Sequence, residues 1–175
     1  MAATELRDRL QPALLDRLTD EQPQAQREAD DHRVLNKSQL RQAVLRDLSW
    51  LLNAVQPLGK QAEQAPHAAN SVLNFGLPPM SGQLASKVDV PDLEQTIREA
   101  ILRFEPRILE HSLSVKAIES GAMLDAHNVI EFEIRGWLWA QPIPLELLLR
   151  TQLDLEAGQV LVRDAAAAPI RDGGR

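Results

Sequence analysis

The hydrophobic rhythm of this chain changes at one tripeptide, Glu105-Pro106-Arg107. Before it, apolar residues recur at helical spacing. Leu93, Ile97, Ala100, Ile101 and Phe104 trace one face of a helix over Asp89–Phe104, with Pro91 suited to its first turn. After it, Leu109, His111, Leu113, Val115 and Ala117 alternate with Glu110, Ser112, Ser114 and Lys116, which is strand spacing. A second alternating run places Ile130, Phe132, Ile134 and Leu138 on one face and Glu131, Glu133, Arg135, Trp137 and Trp139 on the other. A third sets Leu147, Leu149, Thr151, Leu153 and Leu155 against Arg150, Gln152, Asp154 and Glu156, and Ala157-Gly158 then turns into Val160–Val162. Helices first and strands last, with hairpin-length connections, predict an α+β fold: N-terminal helices packed on a C-terminal antiparallel β-sheet.

The upstream helices carry their own punctuation. Leu6, Leu10, Leu14 and Leu18 mark an opening helix, followed by a polar connector from Thr19 to Arg33. Leu40, Val44, Leu48, Leu51, Leu52 and Val55 form the next stripe, with Asn36 or Ser38 to cap its start, Pro57 and Gly59 to end it, and Trp50 on its flank. Gln56–Pro66 reads as a polar loop, and Ser71–Pro79 as an extended piece ending in a turn. Glu94 with Arg98 and Glu99 with Arg103 are spaced as helix-surface pairs, each worth about 0.2–0.5 kcal/mol. Gly121–His127 suits a hairpin loop, and the unpatterned end from Ala165 suits a disordered tail. The organisation expected is an N-terminal helix and connector over 1–33, one domain over 34–163 and a tail over 164–175.

Composition narrows the function. A formal net charge of -6 without a basic run argues against nucleic acid. The absence of cysteine removes disulfides, thiolate zinc and a cysteine nucleophile, and fits a reducing compartment. No apolar run approaches the roughly 20 residues that span a bilayer, and the first residues lack a signal-peptide core, so no membrane insertion is expected. His32, His67, His111 and His127 are scattered and form no ligand set; His111, alternating with core positions, reads as a hydrogen-bonded core histidine. No phosphate loop or nucleophile elbow is present, and neither a cofactor nor a metal is expected.

Three constellations remain. Proline lacks an N–H and keeps the preceding residue extended, so the helix ends near Phe104 with Glu105 turning outward. Arg107 meets the negative helix end favourably and Glu105 unfavourably. Either the two pair with each other or cap nearby carbonyls, or the corner is a docking site. Glu131 and Glu133 share a strand face about 6.5–7 Å apart, at the lower edge of the spacing used by inverting glycosidases. Arg135 beside them and the low aromatic content favour a solvated sheet face. Trp137 and Trp139 are either covered by a helix, which the cost of exposing paired tryptophans favours, or form an apolar patch for a partner.

Several of these segments together resemble one family. They are Ser71-Val72-Leu73-Asn74-Phe75-Gly76-Leu77-Pro78, the helix from Pro91 to Phe104, Glu105-Pro106-Arg107-Ile108 and the strands after it, the Arg46-Asp47-Leu48-Ser49-Trp50-Leu51-Leu52-Asn53 text, and the leucine-rich opening. In this order and spacing, over roughly Leu6 to Arg163, the chain resembles the TssE family, baseplate wedge subunits of bacterial type VI secretion systems, related to the lysozyme-like wedge protein of contractile phage tails. The resemblance implies a structural, non-enzymatic baseplate subunit in the cytoplasm, assembled on a membrane-anchored baseplate. It implies that Glu105, Pro106 and Arg107 dock onto the helical core of the wedge, formed by TssF and TssG with TssK nearby. It also implies that the sheet templates the first sheath ring, built from TssB and TssC, by strand addition at Leu147–Glu156 or Gln159–Arg163. The rival reading is a lysozyme-like peptidoglycan glycan hydrolase using Glu131 and Glu133.

Overall fold

The structure, a computed structural model, describes residues 13–19, 24, 35–81, 88–118, 129–140 and 143–165. Among the described residues, four α-helices precede four strands: α1 (Leu14–Leu18), α2 (Lys37–Asn53), α3 (Pro66–Ala69), α4 (Val90–Phe104), β1 (Ser114–Ile118), β2 (Val129–Leu138), β3 (Leu145–Asp154) and β4 (Gln159–Asp164). The fold is α+β, and the strands form one antiparallel meander in the order β1-β2-β3-β4. Helices α2 and α4 lie side by side on one sheet face, α2 over β4 and α4 over β1.

Local chemistry sets the helix boundaries. Asn36 caps α2 through a reciprocal box: its carboxamide accepts from Gln39 N at 2.8 Å, and Gln39 Oε1 accepts from Asn36 N at 2.9 Å. Asp89 caps α4, with Pro91 in the first turn. The α2 stripe buries Leu40, Val44, Leu48, Leu51 and Leu52, and α4 buries Leu93, Ile97, Ala100 and Ile101. These meet Ile130, Phe132, Ile134 and Leu138 of β2 and Leu147, Leu149 and Leu153 of β3 in one core. Val55 lies beyond the helix end and is exposed, contrary to its place in the stripe.

Three segments depart from the expected local structure. Within Gln56–Pro66, expected as a loop, Gly59–Gln64 winds into a 3-10 helix that leads into α3. Ser71 caps a short 3-10 turn, Val72–Asn74, and only then does the chain extend. Leu77 pairs with the end of α2 through Leu77 N to Ala54 O and Gln56 N to Leu77 O, both 2.8 Å. Gly76 lies at φ 120°, and a Cβ there would sit 2.3 Å from Ala54 O, so no other residue fits this closure. Past the corner, the alternation from Leu109 does not form a continuous strand. Residues Glu110–Ser112 make a 3-10 turn, fixed by Ser112 Oγ, which donates to Leu109 O at 2.6 Å and accepts from Trp137 N at 2.9 Å. His111 is therefore exposed rather than a core residue, and so is His67.

The helix-surface pairs also rearrange. Glu94 turns to β1, accepting from Ala117 N at 2.7 Å, while Glu99 accepts from Gln95 at 2.7 Å. Leu6, Leu10, most of the Thr19–Arg33 connector, the Gly121–His127 loop, His32, His127 and the end of the chain from residue 166 lie outside the described residues.

Candidate functional site: a braced charged corner

Helix α4 closes with Glu105 N donating to Ile101 O at 2.8 Å, and Ile108 N donates back to Glu105 O at 3.2 Å, making a tight turn with Pro106 at its first bend. The corner is then stitched to the end of β2: Leu109 N donates to Trp137 O at 2.8 Å and Trp139 N to Arg107 O at 2.7 Å. Trp139 thus lies directly opposite Arg107, and Trp137 opposite Leu109.

Glu105 does not turn outward. It is 3% exposed, and its carboxylate accepts from Arg107 N at 3.2 Å, from Arg107 Nε at 2.6 Å and from Arg107 Nη2. The carboxylate at the wrong end of the helix macrodipole is offset by a guanidinium two residues away, and this internal compensation turns the side chain inward. Arg107 Nη2 also reaches Asp47 Oδ2 of α2 at 2.5 Å. Asp47 Oδ1 accepts from Arg46 Nε at 2.9 Å, and Arg46 Nη1 donates to Asp16 Oδ1 of α1 at 2.5 Å. The line Glu105–Arg107–Asp47–Arg46–Asp16 alternates in sign and ties α4, α2 and α1 together. Arg46 also covers the face of Trp50, 5.1 Å from the ring centroid.

Burial alone pushes the Arg107 pKa down, but the hydrogen bond and charge of Glu105, joined by those of Asp47, raise it above the ordinary arginine value. Arg46 is also raised, chiefly by its hydrogen bond to Asp16 and against the effect of burial. A raised arginine pKa contributes stability below its unfolded value that is lost only as pH rises through the folded one, so both guanidiniums are permanent charges at ordinary pH. Three buried atoms on this line lack a hydrogen-bond partner: Asp16 Oδ2, Arg46 Nη2 and Arg107 Nη1. Arg46 Nη2 sits 2.8 Å from Asp47 Oδ1, within ion-pair reach but without hydrogen-bond direction.

What remains outward is Pro106, which is exposed, and one side of Arg107, whose side chain is 23% exposed. Trp137 and Trp139 are 44% and 56% exposed, which corrects the expectation of burial. Both helices occupy the opposite face, so strand alternation places the tryptophans outside with Glu131, Glu133 and Arg135. On that face Glu133 Oε1 accepts from Arg135 Nε at 2.6 Å, and Glu131 Oε1 from Gln152 Nε2 at 2.8 Å. The two carboxylates proposed for hydrolysis are thus engaged separately.

Of the two sheet edges expected, Gln159–Arg163 is one and Leu147–Glu156 is not. β3 pairs on both sides, so Leu147–Glu156 is interior, and the edges are β1 and β4. On β4, the Asn53 carboxamide donates to Val160 O at 2.8 Å and accepts from Val160 N at 2.9 Å, taking the place of a neighbouring strand residue. On β1, Glu94 takes Ala117 N and Arg98 Nε approaches Leu113 O at 3.4 Å, with a cleft between them at Val115.

Reading the sequence missed Asp47, Arg46, Asp16 and Asn53. Asp47 had one visible signal: an acid beside buried Leu48 lies at the rim of the helix stripe, where its side chain can reach a neighbouring element.

Among the described residues, no helix is long and apolar enough to cross a membrane. No curated protein and no solved structure matches this chain. A family model for baseplate wedge protein gp25 matches residues 38–143, a span that takes in Asp47, the whole corner and both exposed tryptophans.

Proposed function

The chain belongs to the family of baseplate wedge protein gp25, and on that premise we propose that it is the TssE-type adaptor of a type VI secretion baseplate. In this reading it docks onto TssF and TssG, with TssK nearby, works in the cytoplasm on a membrane-anchored baseplate, and presents a sheet edge to the first TssB/TssC ring. Its role is mechanical rather than catalytic.

The observation that carries the docking reading is the brace behind Pro106. Glu105 holds Arg107 through both backbone and side chain, and Asp47 holds it to α2, so the exposed proline is presented on a corner that cannot relax. Trp139, opposite Arg107, extends the apolar surface. A pre-formed surface loses little freedom on association. Arg107 serves as brace and rim, and Pro106 with Trp139 as the contact.

The test is copurification with TssF and TssG. Arg107→Ala alone is a poor probe, because it strands a buried carboxylate. Pro106→Ala and the double variant Glu105→Gln/Arg107→Met are expected to melt as folded domains and to lose most of the copurifying pair. Full retention by both would remove the corner from the mechanism.

Strand addition is assigned to β4. Val160 N–H and C=O face its open side, and so do those of Val162, two residues on. An added strand therefore pairs beyond the Asn53 plug. Val162→Pro removes the outward N–H without touching the ladder to β3. It is expected to reduce seeded TssB/TssC polymerisation while sparing wedge copurification; unchanged seeding would exclude this edge.

A further inference from the structure

We propose that the face of α2 around Arg46 is a second half of the docking surface, fitted to a carboxylate-bearing helix of the wedge partner and occupied within this chain by α1 until that helix arrives. The inference rests on the docking reading above and adds a residue, a partner chemistry and an order of events to it.

The seat is defined by what fills it. α1 is a five-residue helix that buries none of its own residues. Leu14 and Leu18 are 72% and 74% exposed, so it is not held by an apolar face. A helix this short has little stability of its own. Its described charged tie is Asp16 Oδ1 to Arg46 Nη1. An acidic side chain on a helix is therefore what this surface accepts, and it accepts this one imperfectly. Asp16 Oδ2 and Arg46 Nη2 are buried on this tie without hydrogen-bond partners, as is Arg107 Nη1 farther along the line. Unmet donors and acceptors of this kind each cost stability that a better-fitting occupant recovers.

The electrostatics favour exchange over simple addition. With α1 in place the line holds three carboxylates and two guanidiniums, a net charge of -1. With Asp16 lifted away it is neutral, and Arg46 keeps Asp47 on one side only. One incoming carboxylate then restores the present balance, and it meets an Arg46 guanidinium whose Nη2 makes no directed hydrogen bond at present. A second carboxylate added beside Asp16 would instead meet net negative charge. The partner's helix and α1 therefore exclude each other. Arg46, Asp47 and Arg107 fall inside the span matched by the family model, whereas Asp16 lies before it. The seat is part of the wedge domain, and the latch belongs to the segment in front of it.

The test measures affinity of the full-length chain for purified TssF/TssG, wild type against Asp16→Asn and Arg46→Gln, with a thermal melt of each. Asp16→Asn removes the competitor and is expected to tighten binding about two- to fivefold while slightly lowering the melting temperature. Arg46→Gln removes the seat and is expected to weaken binding. A merely structural ion pair would move both variants the same way. Shifts of the same sign, or no shift in either, would overturn the inference while leaving the docking reading in place. Failure of the wild-type chain to bind the pair at all would end both.

Discussion

Glu105-Pro106-Arg107 and Glu133-Ile134-Arg135 are the same two charges, with one residue between them, in two settings. In each, the arginine Nε donates to the glutamate Oε1 at 2.6 Å. In the first, the glutamate is shut away from solvent and the arginine is also tied to Asp47 of another helix. In the second, the arginine side chain is 62% exposed and the glutamate 22%, on the outer face of β2. Equal geometry does not mean equal consequence. In water, an ion pair replaces hydration it has not fully lost, so its presence or absence hardly matters. Away from water, each charge depends on the other, and removing one leaves the other without hydration or partner. The turn makes the difference: proline ends α4 and folds the pair back under α2, whereas the strand holds its pair out.

The contrast can be broken at its strong end first. Glu105→Gln leaves a half-buried guanidinium with Asp47 alone, and about 3–5 kcal/mol of unfolding free energy is expected to disappear in urea denaturation. Adding Arg107→Met to that variant removes the stranded charge and is expected to recover most of the loss. A double variant no better than the single would mean that packing, not charge, sets the penalty. At the weak end, Glu133→Gln is expected to leave the denaturation midpoint unchanged at both low and high salt. A measurable loss would show that the outer face of β2 is less open to water than its exposure implies.

Much of the fold could be read from the sequence, because the signals are local. Asn36 or Ser38 at the start of α2, and Pro91 in the first turn of α4, marked the helix starts within one turn. The buried stripes of α2 and α4 follow from spacing alone. Alternation also placed Trp137 and Trp139 beside Glu131, Glu133 and Arg135. What overrode that placement was a general expectation about the cost of exposing tryptophan, and alternation was the better guide. Elsewhere alternation misled: His111 fell on the apolar register, but Ser112 bonds twice across to the chain around it and turns that segment into a 3-10 coil. Alternation gives the face a residue occupies and not the strand beside it, so β3 could not be told from an edge. The corner was recognisable as unusual, and pairing of Glu105 with Arg107 was one of its readings; what was not visible was Asp47, sixty residues from Arg107 in sequence, because nothing local reveals that the two helices bring it there.

The Asn53 carboxamide has a consequence for how this protein waits before assembly. Two copies meeting side by side would need a continuous run of open backbone to zip together, and here a side-chain amide already sits in the first place. Self-association is thereby interrupted at its starting point. A strand added at this edge must begin further along, so under the proposed sheath role a single amide would both hinder pairing of the free subunit with itself and mark where the incoming strand starts.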